Sequence, residues 1–216
     1  MLLTVLLVVV QALATDDALA PTVPALAALA VVTPARRCAD LMKVDLTGIG
    51  GAGSRVVKAS ETTSNGVAVC SVEGTLAPTI GFWLDLPTKT WTQRYLQVGC
   101  GGLCGRISLE VPAADGCETL DAGGFAIAST DMGHEGMGGE FGRDPQKRAD
   151  FAWRAVHLTA LAAKALVRSF YGREQAYAGK GDPNRASSYV RKEIAPVTIP
   201  AWAGADFYHP YKARQR

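Results

Sequence analysis

The stretch Arg94-Tyr-Leu-Gln-Val-Gly-Cys-Gly-Gly-Leu-Cys-Gly105 decides how this chain is read. Tyr95, Leu96 and Val98 have the character of a buried strand, and Gly99, Gly101, Gly102 and Gly105 then bend the backbone sharply. Glycine accepts positive φ and lets other atoms approach the main chain closely. A strand that breaks into glycines exposes backbone N–H groups at its carboxyl end, where open α/β sheets place their ligands. Such donors can stabilise an oxyanion during acyl transfer. The plainer reading is a tight turn stapled by Cys100 and Cys104, because glycine-rich loops are weak motifs by themselves.

The strand and helix signals around this stretch point to an α/β domain. Val67–Val72 alternates as a strand, and Ile80–Leu86 is a second, ended by Pro87. Gly123–Thr130 is a further buried strand, which ends in Asp131-Met-Gly-His134. Cys38 to Met42 begins a short helix, and Gly48 to Gly53 reads as a loop. Asp144 can cap a helix whose first position suits Pro145, and Gly172 stops it after Tyr171. Arg154, His157, Lys164 and Arg168 form a narrow polar stripe along it, broken by Leu161. The rest of its girth, Phe151 and Trp153 included, is apolar, as for a helix buried against a sheet. Beyond Gly172 no apolar strand stands out, although a βαβ unit needs one to return.

Composition narrows the function classes. The 216 residues are 48% hydrophobic and 19% charged, with a formal net charge of +2. That suits one globular domain and gives no global argument for nucleic acid or an anionic membrane. From Gly172 onward 8 Lys/Arg face 4 Asp/Glu, a modestly basic end. Leu2–Val10 is an apolar run too short to span a bilayer, followed by Ala12-Leu-Ala14 and Ala18-Leu-Ala20 as cleavage candidates, although no Lys or Arg precedes it. This resembles a secretory signal, so secretion is expected, with a membrane anchor as the alternative. Export permits disulfides. Of the five cysteines, Cys38 with Cys70 is the first expected pair. Two of Cys100, Cys104 and Cys117 can form a second, leaving one over. Zinc lacks four ligands at suitable spacing, and Cys100-x-x-x-Cys104 is not a C-x-x-C redox motif. Nor does any serine sit in a G-x-S-x-G setting. Asp131 and His134, at a strand end, are the site-adjacent candidates.

Several ordered blocks together resemble the tannase/feruloyl esterase family. They are Pro78-Thr-Ile-Gly-Phe-Trp-Leu-Asp-Leu-Pro87 with Trp91, and Arg94–Gly102. Ala128-Ser-Thr-Asp-Met-Gly-His134 follows, then Asp150-Phe-Ala-Trp-Arg-Ala-Val-His157 through Leu166 and Phe170-Tyr-Gly172. The resemblance implies a secreted serine carboxylic-ester hydrolase of α/β-hydrolase fold, acting on phenolic-acid esters such as galloyl or feruloyl esters. It makes Gly101 or Gly102 the oxyanion donor. It also locates a departure. Where the family has a Cys-Ser-x-Gly-Gly nucleophile elbow, this chain has Ala178-Gly-Lys-Gly-Asp-Pro183. The later Asp and His of the triad and the lid with its calcium site have no counterpart, so no triad residue, metal or cofactor is carried over. His134 is not the family's triad base.

The expectation is therefore an incomplete α/β-hydrolase-type sheet with one long buried helix, its triad-bearing half and lid missing. Its organisation would be a signal peptide over 1–20, a linker over 21–37, the N-terminal part of the hydrolase domain over 38–172, and a divergent tail over 173–216, with disorder one reading of that tail. Such a chain would be truncated and inactive alone. The alternative is a noncatalytic secreted binding module whose glycine turn and basic tail engage a carbohydrate or protein partner.

Overall fold

The computed structural model describes residues 29–99, 101–114 and 116–181. The expected signal peptide, Cys100 and everything after residue 181 lie outside them. Six strands form one mixed sheet: β1 (Arg55–Ser64), β2 (Val67–Leu76), β3 (Ile80–Pro87), β4 (Arg94–Val98), β5 (Phe125–Thr130) and β6 (Tyr177–Gly181). Their order is β1-β2-β3-β5-β4-β6. β1, β2, β3 and β5 pair antiparallel, whereas β5, β4 and β6 are parallel. β4 is thus an inner strand, and all five of its residues are buried.

The alternation of a strand divides β4 between two layers. Tyr95 packs into the main core with Phe82, Leu84, Ala126 and Ala128. Leu96 and Val98 face the other side, where Phe125, Val111 and Leu120 meet them. Gln97, on the Tyr95 side, is also buried but polar. Its amide donates to Val156 O at 2.9 Å and its carbonyl accepts from the Tyr95 hydroxyl at 2.8 Å. This satisfied pair ties β4 to the helix above it.

Two four-residue helices, α1 (Thr47–Gly50) and α2 (Glu118–Asp121), sit in the connections, and a 3-10 turn spans Cys38–Lys43. α1 corrects the expectation of a plain loop over Gly48 to Gly53. The main helical run starts where the sequence places it. The Asp144 carboxylate accepts from the amides of Gln146 and Lys147, with Pro145 at the first position of α3 (Pro145–Ala149). A π segment, Asp150–Arg154, joins α3 to α4 (Ala155–Tyr171), and Gly172 ends α4 with φ 71°. Ala155, Leu158, Ala162, Leu166 and Phe170 face the sheet. Arg154 leaves the expected polar stripe for a buried partner, and Trp153, expected on the apolar side, is half exposed. The π segment turns these residues out of the register that a uniform helix would impose.

Two strands depart from the sequence reading. β1 carries little apolar signal, since only Val56 on it is buried; it is an edge held by backbone pairing to β2. β6 overturns the expectation that no strand returns after the helix. Residues 177–181 pair with 94–98 in parallel, which closes the β5-α4-β6 unit across β4. The sheet therefore extends past residue 172 into the segment expected to be a divergent tail. The pairing uses main-chain groups, which a Tyr-Ala-Gly-Lys-Gly sequence supplies without advertising a strand.

The expected Cys38–Cys70 disulfide is present, with a Cα–Cα distance of 5.5 Å. It joins the 3-10 turn to β2. Cys104 is disulfide-bonded as well, and Cys117 is free and half-buried. No helix among the described residues is long and apolar enough to cross a membrane.

Candidate functional site

Because β4 and β5 are parallel, the loops that follow them leave the same edge of the sheet. The loop after β4 carries the glycines; the loop after β5 carries Asp131 and His134. The two loops pair with each other. Gly105 N donates to Gly136 O and Gly136 N donates to Gly105 O, at 2.6 and 3.0 Å. Gly101 is half-buried and Gly102 exposed, the latter with φ 64°. No carbonyl among the described residues accepts from either amide.

Asp131 is bound to the main chain. Its carboxylate accepts from Gly81 N through both oxygens, at 3.0 and 2.9 Å, and from Gly133 N at 2.8 Å. Burial pushes its carboxyl above the usual Asp range, against the opposing pull of those amides. Gly133 has φ 81°, and a Cβ there would lie 2.6 Å from Cβ of Asp150. Only glycine combines that backbone conformation with so close an approach. The Thr79 hydroxyl donates to Gly133 O at 3.1 Å and completes the bracing of this turn.

His134 is buried, and its Nε2 lies 3.0 Å from the carbonyl oxygen of Leu103 in the glycine loop. The ring stacks on Phe141 at 4.0 Å and meets the edge of Phe151 at 5.4 Å. Among the described residues no hydroxyl is paired with its ring. The two site-adjacent residues read from the sequence thus meet at one edge, as supports of loops.

Asp150, which sequence reading passed over, lies directly beneath. It is fully buried, ion-paired to Arg154 at 2.6 Å and bonded to Gln146 at 2.9 Å. Arg154 also donates to Ala77 O at 2.8 Å, binding the π segment to the turn before β3. The signal available in the sequence was the i, i+4 spacing of opposite charges. An open groove of about 870 Å³ flanks these loops, lined by Thr79, Asp131, His134, Glu135, Arg143 and Lys147 among others. Gly101 and Gly102 are not among its lining residues. Among the described residues no group of three or more His, Cys, Asp or Glu could hold a metal.

The model of one family, tannase and feruloyl esterase, matches residues 64–181, from the end of β1 to the end of β6. The chain belongs to this family. Among curated relatives it is 34% identical over 113 residues to a probable feruloyl esterase B-2 of Aspergillus flavus, a match covering 52% of this chain and 18% of that protein. An uncharacterized esterase of Xanthomonas campestris is 32% identical over 166 residues, covering 70% of this chain and 28% of that protein. An esterase from Aspergillus oryzae of known structure superposes with a TM-score of 0.56 at 22% identity, over 67% of this chain and 31% of its own. The tannase-family chain therefore spans less than a third of the lengths of these proteins, and the fold is of the α/β-hydrolase type. The matched segment contains both site loops and β6, so the family part runs to residue 181, past the boundary at 172 expected from the sequence.

Proposed function

We propose that this chain carries the oxyanion-stabilising part of a carboxylic-ester hydrolase for phenolic-acid esters of the galloyl or feruloyl type. One observation carries the reading: within the family segment, the inner parallel strand β4 opens at its carboxyl end into the glycine loop. In α/β-hydrolases a loop at the carboxyl edge of the sheet supplies one oxyanion N–H, and the residue after the nucleophile supplies the other. Gly101 or Gly102 is the donor on this side. A single donor of this kind is worth about 10²–10³ in kcat. The name of the Aspergillus flavus relative supports the ester class. The apolar run Leu2–Val10 and the Cys38–Cys70 disulfide support an extracellular location.

The nucleophile is another matter. Ala178–Gly181, expected from the sequence to stand in the elbow's place, instead pair with β4 as part of β6. An elbow would follow Gly181, where the sequence reads Asp182-Pro-Asn-Arg-Ala-Ser-Ser188, with neither Cys-Ser-x-Gly-Gly nor G-x-S-x-G, so the chain by itself hydrolyses nothing. Two experiments test the proposal. In the first, the matching 113-residue segment replaces its counterpart in the Aspergillus flavus relative. The chimera is expected to hydrolyse methyl ferulate or methyl gallate, and a folded but inert chimera would overturn the oxyanion role. In the second, this chain alone is incubated with the same esters. Turnover that a serine-directed inhibitor abolishes would overturn the claim of inactivity.

A further inference from the structure

We infer that His134 is a positioning residue for the glycine loop, acting through the Leu103 carbonyl; the inference rests on the oxyanion role proposed for that loop. The argument begins with hydrogen-bond chemistry. A carbonyl oxygen only accepts, so the Nε2 atom 3.0 Å from Leu103 O carries the ring proton. The other ring nitrogen is Nδ1. It is buried and has no partner among the described residues, so nothing else fixes the ring's orientation by hydrogen bonding. The bond to Leu103 O is the polar interaction for which this histidine is held.

The packing is specific to that bond. Phe141 covers one face of the ring and Phe151 meets it edge-on. On the loop side, Gly105 approaches so closely that a Cβ there would lie 2.6 Å from His134 Cδ2 and 2.7 Å from Nε2. The pair Gly105–Gly136 then closes the loop just beyond Leu103. The glycine loop is consequently fixed at Val98 by the sheet and at Leu103 by His134, with four residues between. Gly101 and Gly102 lie in that short span. His134 is itself carried on a turn that Asp131 bolts to Gly81 of β3.

The test uses the full chain and two variants. His134→Phe keeps an aromatic ring but removes the donor, whereas His134→Gln keeps an N–H donor. The readouts are imidazole 15N shifts of the native protein and 15N order parameters of the glycine amides. The native ring is expected to be the Nε2–H tautomer. Order parameters of Gly101 and Gly102 are expected near about 0.85 in the native chain and in His134→Gln, and below about 0.6 in His134→Phe. A Nδ1–H tautomer would overturn the inference, and so would native order parameters already below about 0.6 or values unchanged in His134→Phe. The tautomer measurement decides the matter even if His134→Phe does not fold. None of these readouts depends on ester hydrolysis, so a failure of the oxyanion role and a failure of the positioning role are separately visible.

Discussion

Gly133 and Gly136 offer a controlled comparison across the support of the candidate site. Both have positive φ, 81° and 88°. A Cβ at Gly136 would meet nothing within 4 Å, whereas one at Gly133 would lie 2.6 Å from Cβ of Asp150. Gly136→Ala therefore costs only the left-handed backbone, about 1–2 kcal/mol. Gly133→Ala adds overpacking against a fully buried, ion-paired carboxylate that cannot retreat, a further ~1–3 kcal/mol. At about 2–4 °C per kcal/mol for a domain of this size, the Gly133 variant should melt roughly 2–12 °C below the Gly136 variant. Thermal unfolding followed by circular dichroism, with urea denaturation for the free-energy difference, measures the gap. Equal losses in the two variants would refute the reasoning, because they would mean that the turn carrying His134 does not rest on Asp150.

Four other outcomes follow from the structure. Replacing Cys38 and Cys70 together by alanine should cost about 3–4 kcal/mol in urea unfolding, since the bridge closes a 32-residue separation; a loss under about 1 kcal/mol would contradict this. Tyr171→Phe strands the Pro87 carbonyl, which accepts from the phenol at 2.8 Å, and should cost about 1–3 kcal/mol. Burial pushes that phenol well above its ordinary value, so native and Tyr171→Phe proteins should show the same tyrosine ionisation by ultraviolet titration up to about pH 11. Asp131 has a folded pKa raised above its unfolded one, so its contribution is complete below the unfolded value near 3.8 and is lost as pH rises through the folded value. The deficit of Asp131→Asn relative to the native chain should thus be largest at about pH 3 and shrink by about pH 6, as urea midpoints at the two pH values will show.

The sequence discloses the elements whose burial is written in side chains. β2, β3, β4 and β5 announce themselves by apolar residues, and the main helix by Asp144, Pro145 and Gly172. β1 and β6 are almost silent because backbone pairing holds them: an exposed polar edge at one side, and Tyr-Ala-Gly-Lys-Gly at the other. The π segment is silent as well, since a helical run interrupted by a single wider turn keeps its composition. At the site, Asp131 and His134 are legible as polar residues at a strand end. Their partners are not, because Gly81 N and Leu103 O are main-chain atoms and carry no residue signature. Asp150 and Arg154 pass for surface charges until the fold places the turn after β5 over one of them and the Ala77 carbonyl against the other.

The reversal of strand direction in mid-sheet explains why these parts meet. β4 and β5 run parallel, so both end at one edge and their loops can pair as Gly105 and Gly136 do. β3 runs the other way and begins at that same edge, where Phe82 is paired with Thr130. Its second residue, Gly81, therefore presents an amide just where β5 ends in Asp131. A fully parallel sheet would have put the end of a strand there, with its own loop leaving the edge. The antiparallel neighbour instead gives Asp131 a fixed donor, Asp131 holds the turn that carries His134, and His134 holds Leu103. The antiparallel half, bridged by Cys38–Cys70 to the start of the domain, is in this sense the foundation of the glycine loop. A disturbance at Gly81 or Asp131 should accordingly reach Gly101 and Gly102 while leaving β4 itself in place.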